Sequence, residues 1–281
     1  MPDAAPTFVI VGHVTQDVVP GGLAVGGATY SARMARSLGQ RVGLVTSAAD
    51  DFDFARALPG VEVARVPAPH TSTFENRYIA DRRDQYVRAA AARLDASAVP
   101  PAWGGASIAM LAPFTNEVLP GVEAAFDAST LLAATPQGWL RRWGDDGLVR
   151  LEGWSTLVDR LSRLGAVVLS EDDVQRDEAT IDMLRRAVPL LVVTRGARGG
   201  TLFRDGEPFD YPCFPANEVD PTGAGDGFAA AFLIELRRSG DPVRACLFGS
   251  CAASFVVEAP GAEGIPTPAQ IAARMAEGPR R

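Results

Sequence analysis

The segment Asp220-Pro-Thr-Gly-Ala-Gly-Asp226 places small residues and two carboxylates directly before an apolar helix. Gly223, Ala224 and Gly225 let the backbone approach a ligand closely, and N–H groups at a helix start carry the positive end of the helix dipole. This arrangement predicts an anion hole for a phosphate, or for the charge that develops during phosphate transfer. Asp226 stands beside the hole, where a carboxylate can accept a proton from an attacking hydroxyl. The alternative is a glycine-rich turn in which Asp226 only caps the helix.

The basic residues exclude several kinds of phosphate chemistry. The chain carries 27 positive side chains and a net charge of −7, and all of the positive residues are arginine. A Walker A loop, a protein-kinase strand and a Schiff-base enzyme each require a lysine, so none of these mechanisms is available. The net charge is acidic and the sequence contains no basic stripe, so we expect no nucleic-acid partner.

Cysteine and histidine usage argues against two further kinds of site. The three cysteines, Cys213, Cys246 and Cys251, form no CxxC pair, which argues against a disulfide framework and a zinc site. The two histidines, His13 and His70, are far apart in sequence, so a catalytic triad is not expected. The sequence contains no run of eighteen apolar residues, so no membrane span is predicted. The first seven residues lack the basic start of a signal peptide, and the expected location is the cytoplasm.

Short apolar strands alternate with helical stretches along the chain. We predict strands at 8–11, 41–46, 107–111, 130–134, 166–169 and 190–194, and helices at 29–38, 225–238 and 243–257. This order is typical of an α/β fold with a mostly parallel sheet that is flanked by helices on both faces.

Two hairpins interrupt the alternation. Residues 73–79 and 85–90 flank a polar turn, and we interpret this pair as a small β-hairpin lid. A second hairpin is predicted from 201–203 and 208–211. The Pro- and Gly-rich stretches 59–69 and 98–105 are interpreted as connectors.

Five segments together resemble one known family. DPTGAGD followed by GFAAAF resembles the carboxyl-terminal signature of the PfkB carbohydrate kinases, in the ribokinase-like superfamily. GHVTQDVV and VGGATYSARMARSLG resemble the family's opening strand, substrate aspartate and Gly-Gly helix, and VVLSEDD resembles its Asn-x-x-Glu position. VVTRGARGG and FGSCAASFVVEAPGAEGIP resemble its nucleotide-side turn and final helix. The resemblance implies a single ribokinase-like domain over residues 1–281, with the β lid inserted at 71–91.

The resemblance also implies roles for individual positions. Asp226 would be the base, and Gly223 to Gly225 the anion hole. Contacts with the acceptor are expected at Asp17, Gly26, Gly27 and Tyr30, with Glu75 and Asn76 as polar candidates on the lid. Contacts with the nucleotide are expected at Thr194, Gly196, Thr222, Ser250 and Ser254. Contacts with a metal ion are expected at Asp173 and Asp220. Neighbouring residues of a strand face opposite sides, so Glu75 and Asn76 cannot both reach one ligand.

Two positions depart from the family's pattern. The asparagine that usually follows the Gly-Gly pair is absent, and Tyr30 lies in that region instead. The Asn-x-x-Glu motif has become Ser170-x-x-Asp173, whose carboxylate is one carbon shorter. A hydrated magnesium ion tolerates such an outer-shell change, because it keeps several of its own waters.

The expected activity is transfer of the terminal phosphate of ATP to a hydroxyl of a sugar or cyclitol, with Mg²⁺ and with K⁺ as a candidate second cation. TSTFENRY and FGSCAASFVVE look most like the myo-inositol kinase branch, so a cyclitol ranks slightly ahead of ribose or fructose. A homodimer through the lid is a candidate assembly. The alternatives are a ribose, fructose or nucleoside kinase, a vitamin kinase of the superfamily, a non-catalytic ligand-binding homologue and a dinucleotide-dependent oxidoreductase.

Overall fold

The computed structural model describes residues 4–79, 82–152 and 157–279. In chain order the strands are β1 (Phe8–Val11), β2 (Val14–Val19), β3 (Gly22–Gly27), β4 (Val42–Ala48), β5 (Glu62–Pro67), β6 (Ser72–Ile79), β7 (Arg82–Ala89), β8 (Ile108–Leu111), β9 (Leu131–Ala134), β10 (Arg141–Arg142), β11 (Arg150–Leu151), β12 (Ala166–Ser170), β13 (Leu190–Thr194), β14 (Gly200–Arg204) and β15 (Glu207–Tyr211). The α-helices are α1 (Ala28–Ser37), α2 (Phe54–Ala57), α3 (Val158–Leu161), α4 (Glu178–Ala187), α5 (Ala224–Ser239), α6 (Pro242–Val256) and α7 (Pro268–Glu277). No helix in these ranges has the length and apolar composition that a membrane crossing requires.

The large sheet has the strand order β15-β14-β13-β12-β9-β8-β1-β4-β5 within the described residues. Strands β13 through β5 in that order run parallel, and β14 and β15 add an antiparallel edge. The chain builds outward from β1 to β4 and β5, and then returns to β8 on the other side of β1. This reversal opens a crevice beyond the carboxyl ends of the strands, which is where α/β sheets bind ligands. The predicted mostly parallel sheet is confirmed.

Both faces of the sheet are covered, as the strand β1 illustrates. Phe8 and Ile10 pack into the apolar cluster that contains α1, α5 and α6, whereas Val9 and Val11 pack with α3 and α4 on the other side. All four side chains are fully buried. The side chains of a strand alternate between its faces, so a strand buried on both sides reads as an unbroken apolar run.

A second, four-stranded sheet has the order β3-β2-β6-β7 and is called the small sheet below. The predicted hairpin forms its β6–β7 half; residue 81 of the predicted turn at 81–84 lies outside the described residues, and residues 82–84 belong to β7. The β2–β3 half was not predicted. Its glycines at positions 22, 26 and 27 have low strand propensity, and these strands form through their pairing with each other and with β6.

One predicted connector is wrong. Residues 59–69 contain β5, which pairs in parallel with β4 at the edge of the large sheet. Pro67 ends this strand, and its outer side needs no pairing partner, so proline is tolerated there. The stretch 98–105 is a connector as predicted and includes the short 3₁₀ turn Pro101–Trp103.

Candidate active site

The carboxyl ends of the parallel strands open into one cavity of about 1220 Å³. Its walls include Phe114 after β8, Thr135 after β9, Ser170 at the end of β12 and Thr194 at the end of β13. Single small-molecule sites usually enclose roughly 300–1,000 Å³. This cavity therefore has room for a donor and an acceptor side by side.

Helix α5 begins inside this cavity. Gly223 precedes the helix with a left-handed backbone (φ 78°), and Ala224, Gly225 and Asp226 form the first turn. The first N–H groups of a helix lack partners within the helix and point outward, where they attract an anion. The loop thus presents backbone donors on one side and the Asp226 carboxylate on the other, as the sequence predicts.

The Asp226 carboxyl is held in an unusual electrostatic environment. The residue is half-buried, but its Oδ1 atom is shielded from solvent and has no hydrogen-bond partner among the described residues. Burial raises the pKa of Asp226 to about 7; Arg141 opposes this rise, and Asp173 and Asp17 add to it. A carboxyl with a pKa near neutrality is well matched to accept a proton at physiological pH.

The small sheet forms one side of the cavity, which is called the acceptor side below because the sequence predicts acceptor contacts there. Asp17 on β2 and Asn76 on β6 both line the cavity, and Asn76 Oδ1 accepts a hydrogen bond from Gln85 Nε2 at 3.1 Å. Gly27 lines the cavity next to them. These three predicted acceptor residues are therefore brought together, with Gln85 as an addition that the sequence did not predict.

Three residues that were predicted to contact the acceptor lie outside the cavity lining: Glu75, Gly26 and Tyr30. Glu75 faces the other side of β6 and forms ion pairs with Arg77 and Arg88, both at 2.6 Å, because neighbouring residues of a strand point in opposite directions. Gly26 does not line the cavity either, although a Cβ there would lie 2.5 Å from Asp17 Oδ2. Glu75 is paired on the face of β6 away from the cavity, and its predicted contact with an acceptor has no support in this geometry.

Tyr30 is also absent from the cavity lining. Its side chain is 1% exposed, and its ring lies directly beneath Gly223. Burial, then Asp220, Asp17 and Asp226, raise the pKa of its hydroxyl above the ordinary value. Tyr30 therefore supports the anion-hole loop from below, and its predicted contact with the acceptor is not supported.

Another part of the lining is called the donor side below. It contains all five residues that were predicted to contact a nucleotide: Thr194, Gly196, Thr222, Ser250 and Ser254. Two of these hydroxyls donate hydrogen bonds to backbone carbonyls, one within helix α6 and one in the segment that follows β15. Ser254 Oγ donates to the carbonyl of Cys251 at 2.7 Å, and Ser250 Oγ donates to the carbonyl of Pro212 at 3.2 Å. Tyr211 lines the same region, and its buried hydroxyl has no partner among the described residues.

The two predicted metal residues behave differently. Asp173 lines the cavity, and its Oδ2 accepts hydrogen bonds from the backbone N–H and the hydroxyl of Ser170, both at 2.8 Å. Asp220 lies outside the lining; its two oxygens accept the backbone N–H groups of Thr222 at 2.9 Å and Gly261 at 3.0 Å. Burial favours the neutral form of Asp220, but these hydrogen bonds keep its pKa below the ordinary value. Asp220 joins two loops here, and its binding of K⁺ stays a prediction.

Three cavity residues were missed in the segment TPQGWLR. Thr135, Gln137 and Arg141 follow β9 directly and line the cavity. Thr135 Oγ1 is buried without a hydrogen-bond partner in the described residues. Polar residues that follow a buried strand would have been the signal, since parallel strands end at the ligand side of the sheet.

A buried polar network anchors the small sheet beneath the cavity. His13 Nε2 lies 2.8 Å from the carbonyl of Ala92 and must donate to it, and Nδ1 forms a hydrogen bond with Ser72 Oγ at 2.7 Å. Ser72 Oγ in turn accepts the Ala91 N–H at 3.0 Å. Because Ser72 begins the hairpin and Ala92 follows it, one fully buried histidine holds both ends of the hairpin.

Comparison with known proteins agrees with this architecture. The family model of the pfkB family carbohydrate kinases matches residues 166–270, which contain the donor side of the cavity, Asp173 and Asp226. Over these residues, a little more than a third of the chain, the protein is similar to the PfkB carbohydrate kinases. The large sheet and the small sheet together form a ribokinase-like fold, which solved structures of ribokinase-family kinases share.

Individual relatives differ in how much of the chain they match. A nucleoside kinase of Methanocaldococcus jannaschii is 37% identical over 97 residues, which are 34% of this chain and 32% of that protein. A cytidine kinase of Thermococcus kodakarensis is 28% identical over 268 residues, which are 85% of this chain and 91% of that protein. The chain thus spans about a third of the length of the first relative and most of the second.

The fold is shared with solved structures. A pyrophosphate-dependent kinase in the ribokinase family, complexed with a pyrophosphate analog and myo-inositol, superposes with a TM-score of 0.75. The two chains are 23% identical, and the superposition covers 90% of this chain and 96% of the other.

The raised pKa of Asp226 predicts a pH-dependent effect of Asp226→Asn on stability. The carboxyl has a pKa of about 7 in the folded protein and about 3.8 in the unfolded chain, so the folded state holds the proton more tightly. The stability that this preference contributes is lost as the pH rises from about 4 to about 7. Asparagine is neutral throughout. At pH 8 the variant should melt at least about 3 °C above the parent protein, since 1 kcal/mol corresponds to roughly 2–4 °C in a domain of this size.

Thermal denaturation at pH 4.5 and pH 8 measures this effect. The difference between variant and parent should shrink towards zero at the lower pH. Asp145→Asn, in an exposed loop, removes the same charge without burial and should show no such trend. An equal shift at both pH values would contradict a raised pKa at Asp226.

Proposed function

We propose that this protein is a kinase that transfers the terminal phosphoryl group of ATP to a hydroxyl of a compact polyol. The observation that carries the proposal is the Asp226 carboxylate, with a shielded and unpartnered oxygen, at the start of α5 inside a cavity with room for two substrates. An exposed capping residue would need neither this shielding nor this position.

The proposed reaction needs one proton transfer and one displacement at phosphorus. The acceptor hydroxyl gives its proton to Asp226 as its oxygen forms a bond to the terminal phosphorus of ATP. The bond from that phosphorus to the bridging oxygen breaks, and ADP leaves with the electron pair. Backbone N–H groups of the Gly223–Gly225 segment stabilise the negative charge on the transferring group.

The donor side supports a nucleoside triphosphate. Beyond the phosphate region, the cavity wall is apolar and includes Phe214, Ala253 and Val257. A flat base can pack against such a wall, while the hydroxyls of Ser250 and Ser254 offer polar contacts at its edge. Pyrophosphate would leave this part of the cavity unused.

Magnesium fits the residues present only together with the donor phosphates. In the described residues no cluster of three His, Cys, Asp or Glu side chains could hold a metal ion by itself. Asp173 lines the cavity, and its Oδ1 is not engaged by Ser170. Mg²⁺ usually keeps several waters and binds one or two carboxylates together with substrate phosphates. When bound, it would neutralise phosphate charge that no lysine is present to balance.

The acceptor side supports a polyol, with myo-inositol or another cyclitol ranked ahead of ribose and fructose. Asp17 can accept hydrogen bonds from two neighbouring hydroxyls, and Asn76, Gln85 and Gln137 add both donors and acceptors. The similarity in fold to a structure that contains myo-inositol agrees with this ranking.

A nucleoside is the second candidate acceptor. Phe114, Leu148 and Val149 form an apolar part of the cavity wall, against which a nucleobase could pack. The similarity to the cytidine kinase extends over 85% of this chain and supports the same candidate.

Asp226→Asn should abolish phosphate transfer and leave ATP binding largely intact, because asparagine keeps the size of aspartate and loses its basicity. A general base typically contributes about 10²–10⁴-fold, so we expect kcat to fall by at least about 100-fold. ADP release measures turnover, and calorimetry measures ATP binding.

Asp145→Asn is the matched control and should retain the parent's turnover. Turnover of Asp226→Asn within a few-fold of the parent would contradict the assignment of Asp226 as the base. If the parent binds ATP and an acceptor yet releases no ADP with any acceptor, the chain is a non-catalytic binding protein.

Substrate discrimination should follow the hydroxyls that face Asp17. We expect the highest kcat/KM for myo-inositol when it is compared with ribose, fructose and cytidine, using ATP and Mg²⁺ at fixed concentrations. Deoxy analogues should be rejected strongly, because they would leave buried polar groups unpaired. A preference for cytidine would favour the second candidate and leave the kinase assignment intact. Repeating the panel with pyrophosphate tests the donor.

We further infer that two copies associate through the small sheet. Val18 and Leu23 pair directly across β2 and β3, on the face away from Asp17, and are 43% and 57% exposed. Leu23→Arg should therefore convert a dimer to a monomer in light-scattering measurements. Val219→Arg, at an exposed apolar residue outside the small sheet, should not. A parent protein that is monomeric at every concentration would contradict this association.

A further inference from the structure

Arg141 occupies a fixed position in the cavity wall. The residue begins β10, directly after the 3₁₀ turn Pro136–Leu140 that follows β9, and it is half-buried. Its Nη1 donates to the carbonyl of Phe114 at 3.2 Å, and its Nη2 donates to Gln137 Oε1 at 3.1 Å. Two hydrogen bonds from one planar guanidinium restrict its rotation, so its charge is held at a defined place.

The same guanidinium contacts the small sheet. Its central carbon lies 5.7 Å from the centroid of the Phe74 ring. Phe74 is 3% exposed and belongs to β6, so it is a firmly packed part of the hairpin. A cation within about 6 Å of an aromatic face is attracted to it. Arg141 thus connects the hairpin to the segments that follow β8 and β9.

Arg141 is also the positive group that acts on Asp226. The charged residues of the cavity lining also include the carboxylates of Asp17, Asp84, Asp172, Asp173 and Glu218 and the guanidinium groups of Arg150 and Arg176, and the buried Tyr30 hydroxyl lies outside the lining. Burial and the two carboxylates of Asp173 and Asp17 disfavour the charged form of Asp226, whereas Arg141 favours it. Arg141 is thus the guanidinium that lowers the pKa of Asp226, against the effect of burial and of the two carboxylates.

We propose that Arg141 is a positioning residue: its guanidinium, fixed in the wall of the cavity that Asp226 also lines, holds the Asp226 carboxylate in its charged form, and Phe74 of the hairpin keeps the guanidinium in place. The kinetic consequence rests on the proposed kinase function. The electrostatic consequence does not, since it concerns only the state of Asp226.

Two substitutions test the role of Arg141 in turnover. Arg141→Gln keeps hydrogen-bonding capacity and removes the charge, and Arg141→Lys keeps the charge. With Arg141→Gln we expect kcat at pH 7 to fall by roughly 10–100-fold, with the KM for ATP within about threefold of the parent. The acid limb of the pH–rate profile should move to higher pH, so that part of the loss is recovered at pH 9. Arg141→Lys should retain most of the turnover and the parent's profile.

Arg142→Gln is the matched control for local damage. Arg142 is the next residue in the same strand, is also half-buried and does not line the cavity; it pairs with Glu152 at 3.0 Å. This variant should keep the parent's pH profile. If Arg142→Gln and Arg141→Gln lose turnover equally with an unchanged pH profile, Arg141 has only a structural role and the proposal is overturned.

A direct titration of Asp226 distinguishes this proposal from the proposed function. Infrared difference spectra between each protein and its Asp226→Asn counterpart report the protonation of this carboxyl without any turnover. In Arg141→Gln the midpoint of the titration should lie at least about one pH unit above that of the parent. A midpoint unchanged in Arg141→Gln overturns the proposal, even if the protein proves to be an active kinase. A raised midpoint supports it, even if no acceptor is phosphorylated.

Discussion

The contact between Gly223 and the ring of Tyr30 is the constraint on which the active site depends. A Cβ at Gly223 would lie 2.1 Å from Tyr30 Cδ1, and the backbone there is left-handed, so no other residue fits without displacing the loop. The contact joins α1, which follows the small sheet, to α5, which carries Asp226. It thereby sets the position of the anion-hole backbone relative to the acceptor side of the cavity.

Charge in the cavity is balanced in a way that reflects the absence of lysine. Six carboxylates line the cavity in the described residues, among them Asp17, Asp173 and Asp226, and Arg141 provides the opposing charge at Asp226. A guanidinium stays protonated at any working pH, so it cannot itself take part in proton transfer. Burial and carboxylate repulsion are left to tune Asp226, and its pKa near neutrality is the result.

The small sheet is tied to the rest of the molecule by polar contacts that are buried. His13 bonds to Ser72 at the start of the hairpin and to the Ala92 carbonyl beyond its end. Beside it, the buried Glu117 carboxylate accepts the backbone N–H groups of His13 at 2.9 Å and Thr115 at 2.7 Å. Buried polar groups are costly unless they are all paired, so these contacts permit few alternative positions for the root of the hairpin.

The sequence by itself determined the core strands of the large sheet, the main helices and the Gly-rich loop before Asp226, because these follow from local periodicity and from small residues before a helix. Strands β2, β3 and β5 depend on pairing with other strands. The tertiary structure alone decided which other side chains reach the cavity. Thr135 and Arg141 enter it because β9 lies beside β8 in the sheet, a pairing between distant segments. Tyr30 and Glu75 lie outside the cavity because helix packing and strand pleat, not residue type, set the direction in which a side chain points.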